Sequence, residues 1–489
     1  MEQVNAPLTN LFQNKNHFRK MLSYINKRLD RWYLPVATKY VSLLAYLALI
    51  IAGLMAYSTD AEFLKHLRNT NIGNLIVWSY WWPAIILLAI FFGRIWCMVC
   101  PVEVVTTFFA KIGLKRKRPQ WLLSGWAITI FYIIILLVGI QGFSIHRNPF
   151  FMSIYLLAIV GVSILVGTVY EKNTFCRYVC PVGYLLGLYS RLSIIGWRVK
   201  NKNVCDTCKD KSCIHKKYQY NLNFKSCGVD LYPANITDNS DCILCAGCLK
   251  TCAKYQSIKV VERPNPQLTY IGFAHDLFQL KPLKIAEMIF VMVVSGFVIS
   301  EIWSEWSITD SILGIIPSAV NKFLSVKTTF LAGIVEGIII FLILPVILWI
   351  LPYTVARLSG SSLKIKDYLL NYGISFIPII VAAHLNKSIL KTTSRVPYFE
   401  HLFDDISGMT TAQKIIDGQI KLQQNPVWVN ISISIMLTLV MLAGILLSIK
   451  IVQLLNVKTG FNKSSRILFL IPIVYGSIFL LMILFWRWF

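Results

Sequence analysis

Apolar runs interrupted by polar segments dominate this chain from about residue 36 onward. Many of these runs are uncharged over about 20 residues, which lets a helix cross a hydrocarbon layer about 30 Å thick. The predicted helices cover residues 36–57, 74–94, 121–143, 150–170, 284–303, 328–352, 368–386, 427–449 and 467–486. The pattern therefore predicts an all-α polytopic membrane protein with about nine transmembrane helices.

The longest polar interruption, residues 171–283, separates the first four predicted helices from the last five. We therefore predict a basic N-terminal segment (1–34), a four-helix membrane domain (35–200), a small inserted domain (201–262) and a five-helix membrane domain (284–489). Nothing in the pattern assigns a role to the last of these.

Basic residues are concentrated in alternate loops, and this predicts the direction in which the helices run. The chain has 48 Lys and Arg against 23 Asp and Glu. The basic excess falls in the N-terminal segment and in loops 95–120, 171–283, 353–367 and 450–466. Because such loops stay on the cytoplasmic side, we predict a multi-pass protein of the cytoplasmic (inner) membrane whose N-terminus and inserted domain are cytoplasmic. We expect membrane lipid as a partner and no nucleic acid. Residues 1–34 lack the apolar core of a signal peptide.

Twelve cysteines, all between Cys97 and Cys252, form three groups of four. The run from Cys242 through Cys245 and Cys248 to Cys252 has the spacing C-x2-C-x2-C-x3-C. This spacing is typical of bacterial ferredoxins, in which three cysteines bind one [4Fe–4S] cluster and the fourth binds the other. Zinc is the alternative, although zinc ribbons pair two C-x2-C units rather than offering four cysteines so densely.

The partner run consists of Cys205, Cys208, Cys213 and Cys227, and its spacing is looser because a basic insert (215–226) stretches it. Cross-ligation predicts two [4Fe–4S] clusters. The ligand sets would be Cys227, Cys242, Cys245 and Cys248 for one cluster, and Cys205, Cys208, Cys213 and Cys252 for the other. His215 is an alternative ligand for the second set, although a solvated loop histidine is the simpler interpretation. A domain this small has a poor hydrophobic core, so the clusters should stabilise it.

Two further cysteine pairs, Cys97 with Cys100 and Cys176 with Cys180, each precede a proline at the end of a predicted helix. Four thiolates from two helix ends can converge on a third iron–sulfur cluster, whose nuclearity stays open. Nearby Arg94 and Arg177 would offset its negative charge. The alternatives are a disulfide, disfavoured on a reducing cytoplasmic face, soft copper binding, and cysteines that serve only as core residues.

These motifs together resemble a known family. The two Cys-Pro motifs, followed by a double ferredoxin run with Gly228-Val-Asp230 between its halves, resemble the membrane polyferredoxins (4Fe-4S binding proteins) of the NapH and NosR type. The resemblance covers about residues 36–262 and implies an accessory electron-transfer protein with an α+β bacterial-ferredoxin-like inserted domain. A related branch serves cytochrome oxidase assembly. This chain departs from the family in the shorter first pair, in Ala253 where proline is usual, and in its stretched first run.

Four ionisable residues are candidates for an outer site: Glu301, Glu336 and His384 in the cysteine-free second half, and His146 just beyond the third predicted helix. Ionisable groups in lipid are costly when unpaired, so they are functional candidates. A redox, quinone or metal site would use His384 as ligand or proton carrier. The alternative is that each side chain only reaches the membrane interface.

Two functions fit these observations. The first is a membrane-bound electron-transfer protein between a cytoplasmic or quinol donor and a membrane or outer-face acceptor. The second is a reductive accessory factor for assembly or transport of a metal centre, such as copper, of a respiratory enzyme. The expected partners are a redox protein or quinone and other membrane or respiratory-complex subunits. An electron-transfer subunit is favoured over a stand-alone enzyme, because no hydrolytic site or phosphate-binding loop is evident.

Overall fold

The computed structural model describes residues 15–30, 33–220, 225–255, 265–459 and 463–488. Parts of the predicted N-terminal segment and of the insert and end of the inserted domain (1–14, 221–224 and 256–264) lie outside the described residues. The structure is mostly helical, with 73% of residues in helices.

Eight helical segments are long and apolar enough to cross a membrane within the described part of the chain. They are Val36–Leu54, Ile72–Phe92, Pro149–Val169, Ile285–Trp303, Thr329–Leu358, Ile365–Thr393, Val427–Thr459 and Arg466–Trp488. A further apolar segment, Trp126–Gly142, is shorter. Each predicted helix has a counterpart, and the prediction of a mostly helical, multi-pass membrane protein is confirmed.

The chain divides into two compact units. The first contains Met1–Tyr46, Leu87–Leu123 and Ile159–Gln279, and the second contains Leu47–Ile86, Ser124–Ala158 and Leu280–Phe489. All twelve cysteines belong to the first unit, and the four candidates for the predicted outer site belong to the second unit. The four-segment division of the chain stays a prediction.

The first unit contains short helices and one two-stranded sheet. Its short helices are Lys15–Asp30, Ile95–Val99, Pro101–Ile112, Gln120–Leu123, Thr174–Tyr178, Pro181–Tyr189, Lys202–Thr207 and Gly247–Tyr255. The antiparallel strands Ile195–Val199 and Pro266–Tyr270 lie before and after the cysteine-rich segment and pair with Ile195 opposite Tyr270. The cysteine-rich segment therefore connects the two strands of one sheet.

A small hydrophobic core supports this sheet. The amphipathic helix Lys15–Asp30 contributes Leu22 and Leu29, which are buried with Trp197, Leu244 and Leu268. The side chain of Asn26 bonds both backbone groups of Leu268, as donor to the carbonyl at 3.0 Å and as acceptor from the amide at 2.9 Å. These bonds satisfy backbone groups at the outer edge of the second strand, beside which the described residues place no third strand.

The second unit is a helical assembly packed through aromatic and small residues. Trp349 stacks on Phe376 with 4.1 Å between ring centroids. A side chain at Gly444 would bring its Cβ within 2.6 Å of the Ala382 Cβ, so glycine allows these two helices to approach closely. Besides the apolar segments, this unit contains the helices Ala61–Thr70, Ser307–Phe323 and Met409–Ile416.

Helix Ser307–Phe323 is absent from the sequence prediction. Its apolar residues recur on one side, including exposed Ile308, Ile312 and Ile315, instead of forming a continuous run. It also contains Pro317. A search for continuous apolar runs therefore passes over it, because this helix is amphipathic and not uniformly apolar.

Candidate functional site

The first recess of the first unit is lined by four cysteines, Cys205, Cys208, Cys213 and Cys252. Its volume, including the open side, is about 450 Å³. The side-chain amide of Asn265 donates a hydrogen bond to Cys205 Sγ at 3.0 Å. His215, the alternative ligand, is absent from the lining, and its Nδ1 accepts a hydrogen bond from the Lys217 backbone amide at 3.2 Å.

The second recess is lined by Cys227, Cys242, Cys245 and Cys248 and has a volume of about 340 Å³. Leu244 and Ala246 have left-handed backbone conformations, with φ of 52° and 58°, which curl the loop around its three cysteines. Two further donors reach the sulfur atoms. Trp197 Nε1 donates to Cys248 Sγ at 2.7 Å, and the Leu231 amide donates to Cys227 Sγ at 3.3 Å.

The structure thus brings eight cysteines together in the same two sets that cross-ligation predicts from the spacing. Iron ligation by these sets stays a prediction. Within the described residues, no group of three or more His, Cys, Asp or Glu is arranged to hold a single metal ion. Each recess offers four cysteines, which is the ligand set of a [4Fe–4S] cluster.

The membrane-edge set consists of Cys97, Cys100, Cys176 and Cys180, all of which are free thiols. Cys100 and Cys180 each stand immediately before a helix that begins with proline, Pro101–Ile112 and Pro181–Tyr189. The Cys180 sulfur accepts a hydrogen bond from the Gly183 amide at 3.3 Å. A helix N-terminus stabilises a thiolate through its free amides and its dipole, so this local geometry favours metal ligation.

The four thiols of the membrane-edge set influence one another electrostatically. Burial, followed by the neighbouring thiols Cys97 and Cys180, raises the pKa of Cys100. Burial also raises the pKa of Cys180 to about 11 and that of Cys176 well above its ordinary value. Burial therefore favours the protonated form of Cys100, Cys176 and Cys180, and metal binding would have to displace their protons.

Arg94 connects the membrane-edge set to the ferredoxin-type run. The side chain is only 3% exposed. One guanidinium nitrogen donates to the Ser240 carbonyl at 2.9 Å, two residues before Cys242, and the other donates to the Cys176 carbonyl at 3.5 Å. Arg177 instead forms an ion pair with Asp241 at 3.0 Å. Both arginines lie beside cysteine-bearing segments. Their positive charges would there offset the negative charge of a bound cluster.

Glu103 is a functional candidate that sequence reasoning missed. Its buried carboxylate lies 2.6 Å from the ammonium groups of both Lys39 and Lys225, and it accepts hydrogen bonds from Asn173 Nδ2 at 2.6 Å and Thr107 Oγ1 at 3.1 Å. Burial opposes ionisation, but the two lysines outweigh it and hold the pKa of Glu103 below its usual range. We call this group the Glu103 hub.

The Glu103 hub joins three cysteine-bearing segments of the first unit. Glu103 follows the first Cys-Pro pair, Asn173 precedes the second, and Lys225 precedes Cys227 of the second recess. The Lys225 carbonyl also accepts a hydrogen bond from Thr251 Oγ1 at 3.0 Å, beside Cys252. No spacing rule could have found this hub, because Lys39, Asn173 and Lys225 are 64 to 122 residues from Glu103 in the chain.

Three of the four candidates in the second unit line one cavity, namely His146, Glu301 and His384. Glu336 is not among its lining residues. His384 is 3% exposed and accepts a hydrogen bond from Trp82 Nε1 at 3.2 Å. Glu301 forms an ion pair with Lys387 at 3.3 Å. The cavity therefore brings together three of the four candidates for the predicted outer site, and that site stays a prediction.

Comparison with known proteins bears on the membrane-edge set. Residues 74–119 and 148–204 match a family described as "4Fe-4S binding domain". These stretches contain Cys97, Cys100, Cys176 and Cys180 and end before Cys205. These two stretches are therefore similar to a 4Fe-4S binding domain. The match falls on the Cys-Pro pairs and leaves the eight cysteines of the two recesses outside it.

The chain is also similar, over a segment, to ferredoxin-type membrane proteins. It is 29% identical over 133 residues to the methylamine utilization ferredoxin-type protein MauN of Paracoccus denitrificans, covering 24% of this chain and 46% of MauN. It is 23% identical over 288 residues to the regulatory protein NosR of Stutzerimonas stutzeri, covering 53% of this chain and 37% of NosR. It is 24% identical over 221 residues to the ferredoxin-type protein NapH of Haemophilus influenzae, covering 39% of this chain and 68% of NapH.

The resemblance to this group of iron–sulfur membrane proteins is therefore confirmed, at modest identity and over a segment. The chain spans less than half the length of MauN and of NosR. No solved structure matches the chain.

Proposed function

We propose that this protein transfers electrons through three iron–sulfur clusters, between a cytoplasmic or quinol donor and a membrane or outer-face acceptor. The observation that carries the proposal is the arrangement of the cysteines. Four of them fall within the matched 4Fe-4S binding domain, and the other eight line two separate recesses of the same unit.

Each proposed cluster has four thiolate ligands. The first recess would bind one [4Fe–4S] cluster through Cys205, Cys208, Cys213 and Cys252. The second would bind another through Cys227, Cys242, Cys245 and Cys248. The membrane-edge set would bind the third. Each cluster takes up or releases one electron, so a chain of three suits stepwise transfer. Arg94 and the Glu103 hub support this function because they hold the three ligand groups within one unit.

A basic surface supports docking of an acidic redox protein next to the first recess. Lys209, Lys211, Lys216 and Lys217 are all exposed on the ferredoxin-type segment. Opposite charges on two redox proteins accelerate their encounter and orient the pair. The loop charges support a cytoplasmic position for this surface, and therefore a cytoplasmic electron donor.

Iron and sulfide analysis of the full chain, purified without oxygen, tests the proposal. Three [4Fe–4S] clusters predict about twelve iron and about twelve sulfide per chain, with EPR signals after reduction. Cys180→Ser should lose about four iron while the signals of the other two clusters remain. Cys248→Ser is the matched control, since it should remove a different signal and spare that of the membrane-edge cluster.

Two results would contradict the proposal in different ways. Iron without acid-labile sulfide would exclude clusters altogether. About eight iron per chain, unchanged by Cys180→Ser, would leave two clusters and remove the membrane-edge one.

A further inference from the structure

The amphipathic helix Ser307–Phe323 lies between two membrane-spanning segments of the second unit. Only residues 304–306 separate it from Ile285–Trp303, and only residues 324–328 separate it from Thr329–Leu358. Its 17 residues reach about 25 Å, which is shorter than a hydrocarbon layer about 30 Å thick. The helix is therefore a connection between two spans and is not itself a span.

The two flanking segments run antiparallel. Phe297 of the first lies beside Phe341 of the second, with 6.2 Å between ring centroids. Ser295, earlier in the first segment, accepts a hydrogen bond at 3.4 Å from Trp349, later in the second. The end of the first segment is therefore close to the start of the second, and the helix between them stays at one face of the membrane.

Hydrogen bonds attach both ends of the helix to these segments. The Thr309 hydroxyl donates to the carbonyl of Trp303, the last residue of the first segment, at 2.5 Å. Asn321 Nδ2 donates to the Ala332 carbonyl in the first turn of the second segment at 3.3 Å. Thr309 and Pro317 are buried, so their side of the helix packs against the protein.

The rest of the helix surface divides into two sectors of opposite character. Large apolar side chains, each more than half exposed, recur at intervals of three, four or seven residues and therefore share one side of the helix. This apolar sector consists of Ile308, Ile312, Ile315, Ile316 and Phe323. Small or charged residues recur on another side at the same intervals. This polar sector consists of Asp310, Ser311, Gly314, Ser318 and Lys322.

The position of the helix indicates what covers the apolar sector. The span that follows it exposes Leu331, Ile338 and Ile343, and exposed apolar side chains of a spanning helix face hydrocarbon. Trp303 and Trp306 stand at the start of the helix, and tryptophan is enriched where membrane and water meet. The apolar sector thus continues a lipid-facing surface at the depth of the membrane interface.

The charges of the polar sector indicate how the helix is held there. Asp310 and Lys322 are one acid and one base, so the sector has no net charge. Interfacial helices that depend on anionic lipid carry several Lys or Arg on the polar face. Burial of apolar surface, and not attraction to lipid charge, would therefore hold this helix in place.

We propose that the Ser307–Phe323 helix lies in the membrane interface and binds lipid. Its apolar sector is inserted among acyl chains, and its polar sector faces the headgroups and water. The lipid that it binds is recognised through the acyl chains, so a zwitterionic lipid is sufficient. This interaction requires no iron–sulfur cluster and stands separately from the proposed electron transfer.

Photolabelling of the full chain in phosphatidylcholine nanodiscs, with one copy in each disc, tests the proposal. An aryl diazirine dissolved in the bilayer labels side chains that contact lipid, and mass spectrometry locates the labelled residues. We expect the apolar sector to carry at least about fivefold more label than the polar sector. Adding phosphatidylglycerol or raising the salt concentration should leave this ratio unchanged, because the polar sector has no net charge.

Two double variants provide a matched comparison. Ile312→Gln with Ile315→Gln places amide groups in the apolar sector, and Ser311→Gln with Ser318→Gln places the same groups in the polar sector. The first should lower the label on the remaining apolar-sector residues at least about twofold, because it removes apolar surface that holds the helix in lipid. The second should leave the label unchanged. The wild-type pattern decides the question by itself where a variant does not fold.

Several results would overturn the proposal. Equal label on the two sectors would show that the helix is not oriented by lipid. An apolar sector shielded from the diazirine would show that protein covers it. Label that requires phosphatidylglycerol and is lost in salt would assign the attachment to lipid charge. Double variants that are labelled alike would exclude a role for the apolar sector.

Discussion

Replacing Trp197 with phenylalanine should lower the reduction potential of the cluster proposed for the second recess. Trp197 is 1% exposed, and its Nε1 donates to Cys248 Sγ at 2.7 Å. Reduction adds negative charge to the cluster and its sulfur ligands. An N–H group that points at one of these sulfurs stabilises the reduced form more than the oxidised form, which raises the potential.

The magnitude follows from the energy of one hydrogen bond. A hydrogen bond to a charged group contributes about 1.5–3 kcal/mol, but only the part that grows on reduction, roughly 1 kcal/mol, affects the potential. For a one-electron couple a tenfold change in equilibrium is about 59 mV, or about 1.4 kcal/mol. Trp197→Phe should therefore shift this potential by about 40 mV in the negative direction.

A redox titration followed by EPR, on the cluster-loaded full chain, measures the shift. The membrane-edge cluster serves as an internal reference, and Trp121→Phe is a control because that indole is 60% exposed in the same unit. A potential within about 10 mV of the wild-type value, or one shifted positively, would refute the assigned role of this hydrogen bond. Loss of the cluster would instead be visible as a loss of iron.

Further predictions concern stability. Glu103→Gln should destabilise the first unit by about 3–5 kcal/mol in denaturant titrations, because two ammonium groups lose their buried carboxylate. Unchanged stability would contradict the structural role assigned to the Glu103 hub. The pKa of Glu103 is lower in the folded protein than in the unfolded chain, where it is about 4.3, so the ionised carboxylate stabilises the fold above about pH 4.3. This stabilisation is lost as the pH falls toward the folded-state pKa. The stability of the wild type should therefore fall more steeply on acidification than that of Glu103→Gln. Removing iron with a chelator should increase hydrogen exchange in residues 201–255 and leave the helix Val427–Thr459 unchanged, because metal ligation substitutes for a hydrophobic core in the cysteine-rich segment.

The membrane helices were predictable because a continuous apolar run has few alternatives to a spanning helix. All nine predicted helices correspond to apolar helical segments, although Trp126–Gly142 is shorter than the rest. The amphipathic helix Ser307–Phe323 was missed because its apolar residues are periodic and interrupted by Pro317. Helices with a continuous apolar run were predicted, and the helix whose apolar residues alternate with polar ones was missed.

The candidate cysteines, like the membrane helices, were predictable from the sequence, because ferredoxin spacing is a local signal. Residues within one tight loop, such as Cys242, Cys245 and Cys248, must lie close together in any fold. The spacing also implied which cysteines of the looser run would join them, and the two recesses contain the same sets. The N–H donors to these sulfurs were not predictable, since Trp197 lies in the first strand and Asn265 immediately before the second, outside the cysteine motif.

The sequence by itself therefore determined the local features of this protein. Apolar runs specify the helices, and cysteine spacing specifies the candidate ligands. Contacts between distant residues emerged only from folding. Glu103 meets Lys225 across 122 residues, and Trp82 meets His384 across 302. The physical reason is that periodicity and spacing constrain neighbours along the chain, whereas the pairing of buried charges and donors depends on which helices pack together. Those pairings, such as the contacts of the Glu103 hub, are the part of the candidate sites that the sequence did not reveal.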